Sequence, residues 1–163
     1  MSASFLVSPL ESADDRKAFH SGSVALDRYL REQVTQDVRR RVSTCFVARV
    51  EARIAGYYTL ASASLPLHHL PANISRKLPR YPTVPTVRMG RLAVDHAYRG
   101  QGIGGALLAD ALDRAIRSEI AAVALMVEAK DDSAVAFYEH HGFIALSDLP
   151  MTLFLPLATV IQK

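Results

Sequence analysis

The stretch Arg99-Gly100-Gln101-Gly102-Ile103-Gly104-Gly105 places four glycines between two apolar segments of different period. Before it, Val87 to Val94 reads as a strand. After it, Ile103, Leu107, Leu108, Ala111, Leu112, Ala115 and Ile116 recur at helical spacing, a stripe that packs on a sheet. A chain passing from strand to helix through such a turn points the helix's first unpaired N–H groups outward at the strand's end. That geometry binds anions. Gly102 and Gly104 remove side chains where a phosphate approaches the backbone, and Arg99 adds a charge beside it.

Three kinds of site share this spacing. A P-loop requires a lysine and a serine or threonine after its last glycine, but Ala106 and Leu107 follow Gly105, which excludes nucleotide hydrolysis of that type. Gly100, Gly102 and Gly105 satisfy the dinucleotide fingerprint, with Glu128 at the distance of a ribose-binding acid. Two features oppose it. Asp95 to Arg99 intervene between strand and glycine, and the turn lies past mid-chain, leaving too few residues for the remaining parallel strands. A third reading, an anion-binding turn of neither type, stays open.

The rest of the chain reads as one α/β domain over residues 1–163, half of it hydrophobic and 21% charged. Phe5-Leu6-Val7 makes a short strand ended by Ser8-Pro9. Leu26, Leu30, Val34 and Val38 recur every fourth residue, an amphipathic helix with one packed face and one basic face. Cys45–Val50 and Ile54–Leu65, joined by Glu51-Ala52-Arg53, predict an antiparallel hairpin with Tyr57 and Tyr58 on opposite faces. Pro66, Pro71, Pro79, Pro82 and Pro85 mark an exposed connection without regular structure for most of its length. Its pair His68-His69 argues weakly for metal, since neighbours in a strand point apart, and no metal is expected. Val123–Val127 is apolar throughout, as in a central strand. Asp131 or Asp132 caps a short helix through Tyr138, closed by Gly142, and Thr152–Leu157 makes a last strand.

The lone Cys45 excludes an internal disulfide, no run approaches the ~18 apolar residues of a membrane span, and no signal-peptide pattern opens the chain, so a cytoplasmic protein is expected. The formal charge of +3 permits a polyanionic partner without demanding one. The clusters Arg39-Arg40-Arg41 and Arg76-Lys77-Leu78-Pro79-Arg80 each read, taken alone, as solvated faces.

Arg99-x-x-Gly102-x-Gly104, preceded by Gly90-Arg91-Leu92-Ala93-Val94-Asp95, resembles the coenzyme A motif of the GNAT N-acetyltransferase superfamily. Further on, Phe137-Tyr138-x-x-His141-Gly142-Phe143 is similar to that family's F-Y-x-x-x-G-F signature. The resemblance implies a central mixed, mostly antiparallel twisted sheet with helices on both faces, and acetyl-CoA as donor. It places CoA against Arg99, Gly100, Gln101, Gly102, Ile103, Gly104, Gly105 and Phe137, and the pantetheine arm along Leu92, Ala93 and Val94. Backbone N–H groups at that strand stabilise the charge building on the thioester oxygen. Tyr138, a phenol of reference pKa ~10, is the natural acid for a thiolate whose conjugate acid lies near ~8.5. Read without the motif, it is a core aromatic. Glu128, Asp95 and His96 are general-base candidates by location alone. An α-amine with pKa of ~8 needs little help, whereas a lysine at ~10.4 needs more.

A narrower similarity runs from Phe19-x-Ser21-Gly22-x-x-x-Leu26-Asp27-x-Tyr29-Leu30 through Ala55-Gly56-Tyr57-Tyr58-Thr59-Leu60 to Gly90–Asp95, and resembles TacT-like toxins of toxin–antitoxin pairs. It implies acetylation of the α-amine of aminoacyl-tRNA, inhibition of translation, a ribbon-helix-helix antitoxin and a homodimer. By position, Arg76, Lys77 and Arg91 match residues implicated in tRNA contact, with Arg28 and Arg39–Arg41 added on charge alone. The chain departs from that pattern at Gln33 and Gln36, where lysine is found, and at Asp132, where many GNAT proteins carry asparagine. Two alternatives stay open: acetylation of a small or protein amine, and a non-catalytic GNAT-like module that binds through the proline-rich loop.

Overall fold

The computed structural model describes residues 5–161; the first four and last two residues of the expected 1–163 domain lie outside them. Two compact units emerge, one built from residues up to Ala61 with Gly90–Ala111, the other from Ser62–Met89 with Leu112 onward.

In the first unit, β1 (Leu6–Pro9) runs antiparallel to β2 (Thr44–Val50), and β2 antiparallel to β3 (Arg53–Pro66). The predicted hairpin forms, with Glu51 and Ala52 as its two-residue turn at φ 51° and 68°. Such left-handed values suit the twist of a tight hairpin. Strand β4 (Thr83–Val94) follows as the next neighbour of β3. Tyr57 and Tyr58 point to opposite faces, both fully buried. Tyr57 packs with Phe19, Tyr29, Leu30 and Val34 and donates to the Leu26 carbonyl at 2.7 Å. Tyr58 donates to the Asp110 carboxylate on α4 (Ile103–Arg117). Helical segments therefore cover both faces of this sheet, as the resemblance implied.

Gly56 lets α4 lie close. A Cβ there would stand 2.8 Å from Leu107 Cδ1 and 2.9 Å from the Ala93 carbonyl oxygen. Because the second neighbour is backbone, Gly56→Ala is expected to cost about 1–3 kcal/mol, read as a lower urea midpoint with unchanged slope.

The expected amphipathic helix is three pieces: α1 (Val24–Arg28), a π-helical turn at Tyr29–Gln33, and α2 (Val34–Arg39). Ser23 caps it, its hydroxyl accepting from the Leu26 N–H at 3.3 Å. Leu30 and Val34 are buried as expected, but Leu26 is half-buried and Val38 is 41% exposed. The wide turn takes up an extra residue, so an every-fourth stripe no longer tracks one face. Tyr29 enters the core instead.

In the second unit, β4 pairs in parallel with β5 (Ala124–Glu128), β5 antiparallel with β7 (Thr152–Pro156), and β7 antiparallel with β6 (Ile144–Ala145). Strand β5 is thus flanked on both sides, which its unbroken apolar run predicts. The full order is β1-β2-β3-β4-β5-β7-β6, a mixed and mostly antiparallel arrangement.

The proline-rich span differs from expectation in two ways. Strand β4 starts at Thr83 and so contains Pro85; its ladder with β5 begins only at Thr86, where an N–H is again available. The connection is also not wholly exposed. It holds α3 (Ala72–Ser75) and a 3₁₀ turn at Leu67–His69, and Leu70 joins Leu65, Val84, Met126, Leu146 and Phe154 in the core. In that turn the His68 and His69 rings meet edge-on at 4.4 Å rather than pointing apart.

Helix α5 (Asp132–His140) is capped by Asp131, whose Oδ1 accepts from the Ala134 N–H at 2.8 Å, and Gly142 at φ 93° ends it. Neither β6 nor α6 (Leu157–Ile161) is legible in the sequence, both being too short to carry a period. Among the described residues no helix is long and apolar enough to cross a membrane.

Candidate functional site

The glycine turn has the form its sequence requires. Gly100 and Gly102 both sit at φ 81°, and a Cβ on either would meet nothing within 4 Å. Backbone geometry demands glycine there, and the space beside it is open. The Gly102 carbonyl accepts from the Ala106 N–H at 3.0 Å, the first bond of α4, so the N–H groups of Ile103, Gly104 and Gly105 have no acceptor within the helix. Three amides at the positive end of a fifteen-residue helix, bordered by open space, present donors of the kind a pyrophosphate requires. The group fits.

Upstream, the ladder between β4 and β5 ends at Met89↔Val127, while Leu92, Ala93 and Val94 continue β4 beside β3. Beyond that register, the strand edge is suited to pairing with an extended ligand arm. Asp95, 2% exposed, closes the strand: its N–H donates to the Ala55 carbonyl at 2.8 Å, and its carboxylate accepts from His20 N–H at 3.0 Å and Ala97 N–H at 2.8 Å. A carboxylate so occupied is a cap, which removes it as a general base. His96 Nδ1 lies 2.8 Å from the His20 carbonyl, so that nitrogen carries the proton and Nε2 is the free one. Glu128 is exposed and lies 3.7 Å from Arg88.

Arg99 was expected to stand beside the anion. Its guanidinium instead donates to the Ser21 carbonyl, close against Gly22, so it ties the turn to the loop before α1. Its exposed charge still belongs to the turn.

Arg91 leaves β4 on the face covered by α1 and α2, with its guanidinium carbon 3.4 Å from the centre of the Tyr29 ring. Tyr29 donates to Asp37 Oδ2 at 2.7 Å, and Gln33 Nε2 to Asp37 Oδ1 at 3.0 Å. These bonds, with the charge of Arg91 nearby, hold the Asp37 carboxyl below the usual carboxylate range. Burial pushes the Tyr29 phenol up to about 12, so it remains a donor. Sequence reading selected Arg91 but missed Tyr29 and Asp37, whose proximity to it only the fold produces.

Tyr138, Phe137, Arg76 and Lys77 belong to the second unit. Tyr138 is 6% exposed, with Phe137 and Phe143 at ring-centroid distances of 5.3 and 5.5 Å. Burial pushes its phenol up to about 12, a weaker acid than the ~10 of a free phenol. Its hydroxyl makes no hydrogen bond to a described residue. Among these residues the one fully buried side-chain nitrogen or oxygen without a partner is His69 Nδ1, so the Tyr138 hydroxyl reaches solvent. That combination, a buried ring with a free wet hydroxyl, suits a proton donor. Arg76 ends α3 and Lys77 follows it, both exposed. Cys45 is buried and its thiol pushed up to about 12, an inert strand residue.

Residues 9–143 match the family model described as Acetyltransferase (GNAT) family, and the chain belongs to that family. The chain is 36% identical to a tRNA-acetylating toxin of Mycobacterium tuberculosis (strain ATCC 25618 / H37Rv) over 148 residues, 90% of this chain and 88% of that one. Among solved structures it is similar to AtaT complexed with acetyl-methionyl-tRNAfMet, at TM-score 0.88 and 28% identity, covering 98% of both chains. It is similar also to a tyrosine-to-phenylalanine variant of AtaT bound to acetyl-CoA and the C-terminus of the antitoxin AtaR, at TM-score 0.80 and 26% identity, covering 98% and 97%.

Proposed function

We propose that this chain, as one acetyltransferase domain over residues 1–163, moves an acetyl group from acetyl-CoA to the α-amine of aminoacyl-tRNA and thereby inhibits translation. The open cradle at Gly100–Gly105 carries the donor side of this reading. The acceptor side rests on the similarity to the tRNA-acetylating toxin and to AtaT in its tRNA complex. Acetyl-CoA, when bound, supplies the acetyl group as an activated thioester.

The chain's own residues do the rest. Arg99, Gly100, Gln101, Gly102, Ile103, Gly104 and Gly105 would hold the pyrophosphate, chiefly through amides, with Phe137 as a further contact. Leu92, Ala93 and Val94 offer backbone N–H groups to the extended arm and to the oxygen on which charge develops. Tyr138 donates its proton to the departing sulfur. No dedicated base is assigned: an α-amine of pKa ~8 is partly neutral at pH 7, so water suffices. Arg76, Lys77 and Arg91 engage the acceptor's phosphates. We further assign a ribbon-helix-helix antitoxin as neutralising partner, a homodimeric state and a cytoplasmic site of action. The similarity to AtaT bound to its antitoxin supports the first of these.

Labelled acetyl-CoA incubated with the protein and total charged tRNA tests the acceptor. Label is expected in RNA-bound material and is released as acetyl-amino acid by mild alkali. Label appearing only in proteins or polyamines sinks the tRNA assignment and leaves the acetyltransferase.

A further inference from the structure

Arg91 is an unusual arginine. It is half-buried, yet among the described residues its N–H groups hold no hydrogen bond and no ion pair; its one recorded contact is the face of Tyr29. Buried donors ordinarily find acceptors in the protein or in water. Here an acceptor stands nearby. The Asp37 carboxylate feels the charge of Arg91, but Tyr29 takes one of its oxygens and Gln33 the other.

Tyr29 therefore acts on Arg91 twice. Its ring supports the flat guanidinium from one side, a contact that leaves the in-plane fork of donors free. Its hydroxyl already holds one oxygen of the nearby Asp37 carboxylate, which weakens that group's pull on the fork. Tyr29 shares the packed face with Leu30 and Val34, while Gln33 and Asp37, one turn apart, stay side by side.

We propose that Tyr29 and Asp37 are positioning residues that hold the Arg91 guanidinium stacked and unpaired so that its fork is ready for a phosphodiester of the acceptor RNA. The planar fork matches two phosphate oxygens, which a mobile side chain would have to find at an entropic cost. This rests on the tRNA reading above and adds the residues that prepare the contact. Arg91 touches the RNA; Tyr29 and Asp37 act through it.

Tyr29→Phe keeps the ring and releases Asp37 Oδ2 toward Arg91. Tyr29→Phe with Asp37→Asn keeps the ring and removes the competing charge. The probe is total tRNA, with dissociation constants measured over a salt series for the wild type, both variants and Arg91→Ala, and thermal melts to confirm folding. Arg91→Ala is expected to weaken binding about tenfold and to lower the salt slope by about one. Tyr29→Phe is expected to weaken binding about fivefold, and the double variant to return to within twofold of wild type. In acetylation assays the loss should appear in KM for charged tRNA, with KM for acetyl-CoA and kcat unchanged. Wild-type binding by Tyr29→Phe, or a double variant no better than the single, overturns the proposal. So does a wild type that binds no tRNA. Failure of the acceptor assignment looks different: tRNA binding that follows these variants while no charged tRNA is acetylated.

Discussion

Tyr138→Phe is expected to slow acetyl transfer to charged tRNA by about 100- to 10,000-fold while acetyl-CoA binds as before, the range over which a positioned proton donor contributes. The variant removes one oxygen from a ring that is otherwise buried against Phe137 and Phe143. Since that hydroxyl makes no bond to a described residue, its loss leaves no partner stranded, and the melting temperature should move by no more than a degree or two. Calorimetric titration of acetyl-CoA and single-turnover rates separate the two effects. An unchanged transfer rate removes Tyr138 from the chemistry.

The same residue makes a prediction about pH. Burial pushes the phenol up to about 12, so it keeps its proton throughout the neutral and mildly alkaline range. The acceptor α-amine, with an ordinary pKa of ~8, loses its proton in that range. The rate should therefore rise with pH to a plateau and show no falling limb from Tyr138 before about pH 11, as a group in its donor form below its pKa requires. A wild-type profile that falls between pH 8 and 9 with a limb absent from Tyr138→Phe would contradict the raised phenol pKa.

What could be read from the sequence was whatever depends on local backbone demand or on a clean period. The glycines at Gly100 and Gly102 announce themselves because the chain needs φ near 81° there. The hairpin, the stripe on α4 and the flanked strand β5 follow from alternation, helical spacing and unbroken apolarity. Reading stopped short where a side chain's partner lies far away along the chain. Arg99 was read beside the phosphate site, and only the fold shows that its guanidinium also ties to the Ser21 carbonyl; Asp95 was a base candidate by location alone, and its oxygens cap His20 and Ala97. The π-helical turn failed differently. Nothing in Tyr29–Gln33 breaks a helix, so only packing reveals the extra residue and the exposure of Val38.

Gly102→Val is expected to raise KM for acetyl-CoA about 100-fold, beyond what its effect on folding explains. Two costs can be separated. A residue with a Cβ at φ 81° costs about 1–2 kcal/mol, more for a β-branched one, which lowers stability without touching the ligand. The added side chain meets no protein atom near its Cβ, so the fold has no clash to relieve. What it obstructs is the approach of an anion to the amides of Ile103, Gly104 and Gly105. Charge-assisted bonds contribute about 1.5–3 kcal/mol each, and losing two of the weaker kind amounts to about 3 kcal/mol, or two orders of magnitude in affinity. Gly102→Ala should fall between, since a methyl group strains the backbone nearly as much but covers less of the cradle. Measured together, melting temperature and acetyl-CoA affinity then diverge: both variants lose stability, and affinity falls with side-chain size. Equal affinities for the wild type and Gly102→Val would mean that these amides do not hold the pyrophosphate, and the donor site would have to lie elsewhere on the chain.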